Sequence, residues 1–286
     1  MRLEFEFVKY QGCGNDFILR DELGLKKTPD RLRSKLARVL THRRFQVGAD
    51  GILFIESAKG YDGSMRLFEP AGNEADMCGN GVRCVAAYLT EKLKKVEVDI
   101  LTRDGPKHVT KVGDQYRVDM GPVRTRRSDL AAYLTDKGDP EDSMLDFSVR
   151  ALGRSFSGSI VNSGEPHIVI RRRSIDRLDV RAIGDSANAN TKRFPRGVNL
   201  DFVHVTGPHE VRIRTYERGV YDETYACGTG ATASAAVALM QGWVRPGPVG
   251  VVTRGGRMTI EMGKDGRALM TGPAVRVFEG VVIVDV

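Results

Sequence analysis

Two cysteines stand in the same glycine-rich pattern at two distant places in the sequence. The first is Cys78 in CGNG at 78–81, and the second is Cys227 in CGTG at 227–230. Each pattern leads into a run of small and apolar residues, so each cysteine is predicted at the entrance of a helix. A thiol there faces the positive end of the helix dipole and several unpaired backbone N–H groups, which favour the thiolate and lower its pKa. The sequence therefore predicts two reactive thiols.

The glycines beside each cysteine have a second chemical use. Because glycine has no side chain, an anion such as a carboxylate can approach the backbone N–H groups of the turn. Two such turns facing each other would place a substrate carbon between two sulfur atoms. One thiolate would remove a proton from one face while the opposing thiol delivers a proton to the other, which inverts the stereocentre. For a single cysteine in this pattern, a small buried hydrophobic residue is an equally good interpretation; the repeated context favours chemistry.

This chemistry needs no cofactor. Removing the α-hydrogen of an amino acid is difficult, and many enzymes use pyridoxal phosphate as an electron sink. No segment resembles a convincing site for that cofactor, and two helix N-termini offer preorganised donors to the substrate carboxylate instead. A metal site is a weak alternative, because there is no close Cys-x-x-Cys pair and the five histidines are scattered. We therefore expect neither a cofactor nor a metal.

The elements that must position the two turns are mostly short strands. Runs such as LEFEFVKY, GILFIE, EVRIRTYE and RMTIEM, several with alternating polarity, predict a mainly antiparallel sheet. Three segments predict helices: PDRLRSKLARVLTHR, with Thr28 as its N-cap and Pro29 at its first helical position, and the segments that begin at Cys78 and Cys227. Both cysteine helices carry small residues nearly all round, as expected for a helix enclosed by sheet.

The two halves of the chain repeat one another. In each half a glutamate precedes the cysteine at the same distance, and a pair of alanines follows it at the same offset, Ala86 with Ala87 and Ala235 with Ala236. A repeat at such a long period indicates a duplicated domain. We therefore predict an α/β (α+β) protein with two similar domains, and the best boundary candidate is GPVRTRRSD near residue 122.

The composition limits the class of protein. With 286 residues and 41% hydrophobic content the chain can bury a sizeable core, and no stretch approaches the roughly 18 apolar residues of a membrane span. The net charge of +7 is dispersed, and no aromatic residues alternate with the basic ones, so nucleic-acid binding is a disfavoured alternative. The first residues lack the apolar core of a signal peptide, and we expect four reduced cysteines and a cytoplasmic protein.

A string of motifs along almost the whole chain resembles the diaminopimelate epimerase family of cofactor-independent, two-cysteine enzymes. The motifs are GCGNDFIL, VGADGIL, NEADMCGNGVRC, SGEPHIV, GVNLDFV, TYERGVYDETYACGTGA and TGPAVRVFEG. The resemblance implies two pseudo-symmetric domains, each a mainly antiparallel barrel-like sheet around a central helix, with the active site in the interdomain cleft. The N-terminal domain, 1–122 plus 274–286, would carry Cys78, and the C-terminal domain, 123–273, would carry Cys227.

The same resemblance implies an activity. Members of the family interconvert LL- and meso-diaminopimelate in lysine biosynthesis, use no cofactor, and are usually homodimers. We therefore expect an isomerase with a small-molecule amino-acid substrate and no nucleic-acid or membrane partner. A racemase of another amino acid with the same two-cysteine mechanism stays open, as does a thiol redox protein.

Carried over residue by residue, the resemblance assigns a role to each candidate site residue. Cys78 and Cys227 become the two acid–base residues, while His167 and Glu217 lie beside the thiols and tune their pKa values. The candidates for substrate binding are Asn15, Gly79, Asn80, Asn199, Glu217, Arg218, Gly228 and Thr229. An arginine can grip a carboxylate in a bidentate fork, so Arg218 suits the distal carboxylate of diaminopimelate. Without the resemblance, an ordinary strand histidine and a surface arginine would be the default interpretations of His167 and Arg218.

Two further candidates for substrate binding depart from the family pattern. Glu69 stands where many members have an asparagine before a P-x-G turn, and Glu165 stands where the asparagine of G-N-P-H is usual. Three interpretations stay open for these carboxylates. They pair with the distal ammonium group of diaminopimelate, they repel its distal carboxylate and so indicate another amino acid, or they face away from the site.

Overall fold

The protein consists of two compact units, seen in a computed structural model that describes residues 2–285. Unit 1 is formed by the residues up to Asp119 together with those from Thr271 onward, and unit 2 is formed by Met120–Met270. The chain passes from unit 1 to unit 2 within the strand Gln115–Pro122 and returns within the strand Arg267–Pro273. Unit 1 therefore combines two separate segments of the chain, whereas unit 2 is continuous.

The described residues form 18 strands and four α-helices. The first elements are β1 (Arg2–Gly12), β2 (Asn15–Glu22), α1 (Asp30–Leu40), β3 (Gly51–Glu56), β4 (Gly63–Phe68), β5 (Glu74–Ala75), α2 (Gly79–Leu93), β6 (Glu97–Thr102), β7 (Gly105–Val112) and β8 (Gln115–Pro122). The next are β9 (Phe147–Ala151), β10 (Arg154–Asn162), β11 (Pro166–Arg171), α3 (Val180–Asn188), β12 (Asn199–Gly207), β13 (Glu210–Glu217), β14 (Asp222–Thr224) and α4 (Gly228–Met240). The last are β15 (Val249–Val252), β16 (Arg257–Met262), β17 (Arg267–Pro273) and β18 (Val275–Asp285).

Both units repeat one order of strands and helices. In unit 1, β2 and β3 pair in parallel with α1 in their connection, β3 and β4 pair antiparallel, and β4 pairs in parallel with β6 after α2. In unit 2, β11, β12, β13 and β15 pair in the same way, with α3 and α4 in the corresponding connections. The repeat in the sequence is therefore a repeat of topology.

The sheet is mainly antiparallel, as predicted, but each unit also contains two parallel pairs. Parallel neighbours need a long crossover connection, which is usually helical. In each of these four pairs the connecting segment contains one of the four helices. The alternating polarity of single strands carries no information about these partners, so the parallel pairs were not predicted.

The helices α2 and α4 lie inside their own units. Gly228 through Ala238 of α4 are all buried, and the helix contacts β10, β11, β12, β13, β15 and β16. The helix α2 contacts β1, β2, β3, β4, β6, β7 and β18. Small side chains let strands approach a helix closely from several directions, and the predicted enclosure of both cysteine helices by sheet is confirmed.

The helices α1 and α3 each bury one face. Thr28 does not cap α1, contrary to the prediction: Pro29 is the N-cap residue, and the Thr28 hydroxyl donates a hydrogen bond to Glu22 instead. The helix α3 was not predicted, and its signal is Asp179, whose carboxylate accepts a hydrogen bond from the N–H of Ala182 at 3.0 Å. Within residues 2–285, no helix combines the length and apolar character that a membrane crossing requires.

Candidate active site

Cys78 and Cys227 are the N-cap residues of α2 and α4. Both have extended backbone conformations, and each sulfur accepts a hydrogen bond at 3.4 Å from the backbone N–H three residues later, Gly81 for Cys78 and Gly230 for Cys227. Serine, threonine, aspartate or asparagine normally fills an N-cap, so each cysteine places a sulfur where a capping oxygen would lie. The structure thus positions both thiols at helix entrances, as the glycine pattern predicted.

In unit 1, a chain of polar side chains connects the turn of Cys78 with Asn15. The Nδ2 of Asn80 donates to Oδ1 of Asn15 at 2.9 Å, and the Oδ1 of Asn80 accepts from the guanidinium of Arg83 at 2.7 Å. Asn15 donates in turn to Oδ2 of Asp50 at 3.4 Å. Since Arg83 is fully buried on α2, the amide groups of Asn80 and Asn15 are oriented from inside the unit.

In unit 2, the fully buried His167 on β11 is held at both ring nitrogens. Its Nδ1 lies 2.7 Å from Oδ2 of Asp201 on β12, and its Nε2 lies 3.0 Å from the hydroxyl of Thr229. The Nδ2 of Asn199, also on β12, lies 3.2 Å from the same Nε2. Thr215 donates to the second carboxylate oxygen of Asp201 at 2.7 Å, so this carboxylate has a fixed orientation.

Cys227 is the next member of this group, with its sulfur 3.2 Å from the hydroxyl of Thr229. Burial raises the pKa of the Cys227 thiol well above its ordinary value, and the carboxylates of Glu217 and Asp201 raise it further. Hydrogen bonds from Thr229 and Gly230 oppose the rise. The predicted lowering is therefore wrong for Cys227: a helix terminus is worth about 0.3–1 kcal/mol at exposed sites, and burial of the charge outweighs it. Burial therefore favours the protonated thiol over the thiolate at Cys227.

Glu217, the last residue of β13, lies beside this thiol. Burial is the largest cause that raises the pKa of the Glu217 carboxyl to about 7, and the charge of Glu165 contributes to the rise. Hydrogen bonds from Thr224 and Cys227 act in the opposite direction. A carboxyl group whose pKa is near neutrality can exchange a proton at physiological pH, which suits an acid–base site.

The candidate residues also include donors for an anion. Gly79 and Asn80 begin α2, and Gly228 and Thr229 begin α4. The first N–H groups of a helix have no carbonyl partner within it, and together with the helix dipole they favour a bound carboxylate. Within residues 2–285, no group of three or more His, Cys, Asp or Glu side chains is arranged to hold a metal ion.

The chain resembles known proteins over nearly its whole length. The sequence model of the protein family described as diaminopimelate epimerase matches residues 7–126 and 159–277. The chain is 40% identical to a diaminopimelate epimerase of Methanothrix thermoacetophila, over 98% of this chain and 96% of the relative. It is 36% identical to one of Methanocella arvoryzae, over 99% of this chain and 98% of the relative. The chain belongs to the diaminopimelate epimerase family.

Solved structures show that the fold of this diaminopimelate epimerase family member is shared more widely. A hydroxyproline epimerase from Agrobacterium vitis superposes with a TM-score of 0.70 at 17% sequence identity, over 99% of this chain and 92% of that one. At so low an identity the likeness concerns the fold alone. The predicted mixed α/β fold with two similar domains is confirmed.

In this member of the diaminopimelate epimerase family, Arg218 already has a carboxylate partner in unit 2. One terminal nitrogen of its guanidinium lies 3.4 Å from Oε1 of Glu165, and the group lies over the ring of Tyr133 at 5.2 Å from the centroid. Asn199 donates to Oε2 of Glu165 at 3.0 Å and accepts from the backbone N–H of Arg218 at 2.8 Å. The Nε of Arg218 has no hydrogen-bond partner in the described part of the chain. The structure therefore brings three predicted substrate-binding residues into one group.

Glu69 lies outside both groups of contacts. Its carboxylate accepts from the side chain of Asn73, and its backbone N–H donates to the carbonyl of Asn73 at 2.9 Å. Across residues 2–285, no hydrogen bond or ion pair joins Glu69 to another candidate site residue. Its role in substrate binding stays a prediction.

Two residues of these groups were not singled out from the sequence. Asp201 stands between apolar neighbours in NLDFV, and Arg83 stands in the small apolar helix segment GVRCVAA. A charged residue is rarely buried unless it is paired or hydrogen-bonded. Both residues could therefore have been singled out from the sequence, because each is a charged residue within an otherwise apolar segment.

Proposed function

We propose that this protein is a cofactor-independent epimerase that interconverts LL- and meso-diaminopimelate in lysine biosynthesis, with Cys78 and Cys227 as its two acid–base residues. The observation that carries the proposal is the pair of thiols at equivalent N-cap positions of two helices, in a chain of the diaminopimelate epimerase family. Two thiols in matched settings suit a reaction that removes a proton on one face of a carbon and adds a proton on the other.

The chemistry divides between the two turns. The raised pKa of Cys227 supports its action as the proton donor at neutral pH, so the sulfur of Cys78 acts as the base in that direction. In the reverse direction the two sulfurs exchange roles. The N–H groups at the starts of α2 and α4 bind the carboxylate next to the reacting carbon and stabilise the charge that develops there. Glu217 and His167 tune the proton affinity of the thiols.

The far end of the substrate would be held by the group around Arg218. Diaminopimelate carries an ammonium and a carboxylate group at its distal carbon, and an arginine beside a glutamate offers one partner to each. Arg218 and Glu165 form such a pair, and Asn199 is hydrogen-bonded to both. Asn15, positioned by Asn80, is a further contact on the side of unit 1.

The test follows α-hydrogen exchange and inversion in deuterated water. Reduced wild-type protein with LL-diaminopimelate should incorporate deuterium and form the meso isomer. Cys78→Ala and Cys227→Ala should each fail to invert, because each lacks one of the two groups that move the proton. Cys84→Ala is the matched control, since Cys84 is a buried thiol within α2, and it should keep activity. Inversion by either single active-site variant would contradict the two-thiol mechanism.

A racemase of another amino acid is the second candidate, and one observation favours it. Glu165 already neutralises Arg218, so the distal carboxylate of diaminopimelate would have to compete with the Glu165 carboxylate for the guanidinium. If wild-type protein leaves diaminopimelate untouched, the same exchange assay is run with a panel of other amino acids. Exchange on one of them, lost in both cysteine variants, would establish this second function.

We also propose that the protein is a cytoplasmic homodimer. The strand β18 exposes a row of large apolar side chains: Val275, Val277, Phe278, Val281 and Ile283. Exposed large apolar side chains concentrated on one strand favour a protein contact, and a second copy of the chain is the partner expected here. Light scattering after size exclusion should give twice the mass of the chain for wild type and the monomer mass for Val281→Lys. A wild-type monomer at assay concentration would refute the dimer.

A further inference from the structure

Each of the two site thiols is preceded, four residues earlier, by a glutamate whose two carboxylate oxygens are held by one arginine. In unit 1, the Nε and Nη2 atoms of Arg66 donate to Oε1 and Oε2 of Glu74, both at 2.7 Å. In unit 2, the same atoms of Arg214 donate to Oε1 and Oε2 of Glu223 at 2.7 and 2.6 Å. The repeated glutamate of the sequence is therefore a repeated bidentate ion pair.

A second arginine contacts each of these carboxylates. The Nη1 of Arg103 donates to Oε2 of Glu74 at 2.7 Å, and the Nη1 of Arg254 lies 3.3 Å from Oε2 of Glu223. Arg103 follows β6 and Arg254 follows β15, which are the strands that come after α2 and α4. Each glutamate therefore connects a strand before its thiol with the end of the strand beyond its helix.

The register of the strands is the same around both glutamates. Phe68 lies opposite Glu74 and Tyr216 lies opposite Glu223, and in each unit the bidentate arginine stands two residues before that partner. The second arginine stands in each unit two residues beyond the last paired residue of β6 or β15. We call each set of three residues a clamp: Arg66, Glu74 and Arg103 in unit 1, and Arg214, Glu223 and Arg254 in unit 2.

The clamps are shielded from solvent at their centres. The side chains of Glu74 and Glu223 are 11% and 10% exposed. An exposed ion pair contributes little, whereas a bidentate arginine–carboxylate pair fixes the relative orientation of its two groups. The strands β5 and β14, which carry the glutamates, are only two and three residues long, so few backbone hydrogen bonds hold them. The clamp therefore holds the chain where each thiol turn begins.

The turn between each clamp and its helix is short. Three residues separate each glutamate from its cysteine, and the sulfur accepts a hydrogen bond at 3.4 Å from the N–H of the third residue of the helix. The helix end of the turn is enclosed by strands. Since the clamp fixes the other end, few backbone rotations are left that could move the sulfur away from the helix entrance.

We infer that Glu74 and Glu223 are positioning residues that, held by their arginines, set the sulfurs of Cys78 and Cys227 for proton transfer. The roles of the two thiols are taken from the proposed function, whereas the clamps stand on their own geometry. The glutamates act through the backbone of the turn, and a thiol displaced by about 1 Å loses much of its rate in proton transfer.

Glu74→Gln removes the clamp of unit 1 without isolating a charge. Arg66 also donates to Asp30 at 2.7 Å, and Arg103 also donates to Asp76 at 2.9 Å, so both arginines keep a carboxylate. Glutamine has one acceptor oxygen and one NH₂ group in place of two acceptor oxygens, so it cannot accept from Arg66 at both positions. The substitution therefore releases the turn while it keeps the size of the side chain.

A direct effect of the Glu74 charge on Cys78 would have the opposite sign. A negative charge opposes formation of a thiolate, so its removal would make the thiol more reactive. Release of the turn would make Cys78 less reactive, because the thiolate would lose the N–H of Gly81 and its place at the helix entrance. The sign of the change in reactivity separates the two effects.

The first experiment measures the reactivity of each thiol without substrate. Methyl methanethiosulfonate, a small reagent that thiolates attack, is added at pH 7.5, and modification of Cys78 and Cys227 is quantified separately by peptide mass spectrometry. In Glu74→Gln the rate at Cys78 should fall about tenfold, the effect of one pH unit in thiolate population, while the rate at Cys227 stays that of wild type. Asp136→Asn is the matched control and should change neither rate, because Arg193 holds Asp136 at 2.9 and 2.6 Å on connections without a cysteine.

The second experiment is the deuterium exchange assay with LL-diaminopimelate. Glu74→Gln and Glu223→Gln should each lower kcat at least about tenfold and leave KM within about twofold of wild type, since the donors that bind the substrate are kept. A rise in KM with unchanged kcat overturns the positioning role. Because the modification assay contains no amino acid, failure of the proposed diaminopimelate activity and failure of the clamps are distinguished.

An unchanged or increased rate of modification at Cys78 in Glu74→Gln, or an equal fall at both cysteines, overturns the inference. The reciprocal variant Glu223→Gln should leave the rate at Cys78 at its wild-type value, and a fall there also overturns it. If Glu74→Gln does not fold, Glu74→Asp decides, because it keeps the charge but shortens the side chain by one methylene group. A selective fall at Cys78 in Glu74→Asp supports the clamp, and wild-type reactivity overturns it.

Discussion

Glu217→Gln is expected to stabilise the folded protein at alkaline pH and to have little effect in acid. The pKa of the Glu217 carboxyl is raised from 4.5 to about 7 in the folded protein, chiefly by burial. Between these values the folded state binds a proton that the unfolded state releases, so wild-type stability falls as the pH rises through this window. Each pH unit is worth about 1.4 kcal/mol, which gives an upper limit of about 3.5 kcal/mol. Relaxation and water penetration around a buried charge reduce this limit, and we expect about 2 kcal/mol.

Urea denaturation of wild type and Glu217→Gln from pH 4 to pH 9 measures this difference. The two proteins should have similar free energies of unfolding at pH 4, and the variant should gain on wild type mainly between pH 4.5 and 7. Glutamine can still accept the hydroxyl of Thr224, so that contact is kept. Glu141→Gln, a change at an exposed side chain, is the control and should show no such pH dependence. A pH-independent difference between wild type and Glu217→Gln would refute the account of a buried, protonated carboxyl.

Two further substitutions test the packing that holds the site and the core. Gly230→Ala should abolish epimerase activity and cost about 1–3 kcal/mol of stability, because its Cβ would lie 2.5 Å from Oδ1 of Asp201. The control Gly207→Ala, with no neighbour closer than 3.8 Å, should behave as wild type in both assays. Equal behaviour of the two variants would contradict the close approach of Gly230 to Asp201. Arg33→Met should lower the free energy of unfolding, measured by urea denaturation, by about 3–5 kcal/mol, since Arg33 is fully buried against Glu22 at 2.5 Å. A loss below about 1 kcal/mol would show that the carboxylate of Glu22 is neutralised without Arg33.

The sequence predicted the fold best where local pattern and burial agree. The runs GILFIE and EVRIRTYE coincide with β3 and β13, and both cysteine helices begin one residue after the thiol. The helix α3 was not predicted because Gly184 and Asp185 are weak helix formers. Its packing accounts for it: an added Cβ at Gly184 would lie 2.2 Å from the ring of Tyr216, so the glycine lets the helix lie directly on the aromatic ring.

The sequence named candidate site residues but not their electrostatics. Motifs single out the two thiols, His167 and Glu217 as candidates, whereas no motif predicts the pKa of Cys227. The sign of that shift depends on how deeply the sulfur is buried and on carboxylates that are far away in the sequence, such as Asp201. Helix position alone predicted a thiolate, and only the folded environment shows that burial outweighs the helix dipole.

The enclosure of α4 also bears on how unit 2 folds. A helix with one apolar face can dock early on a partly formed sheet, whereas α4 has no polar face to leave in water and contacts six strands that span most of unit 2. Those contacts join residues far apart in the chain, and loops must close before they form. The entrance of α4 is therefore fixed only when the surrounding strands have assembled, so a refolding reaction should recover the thiol environment of Cys227 in its last phase rather than with the first helical signal.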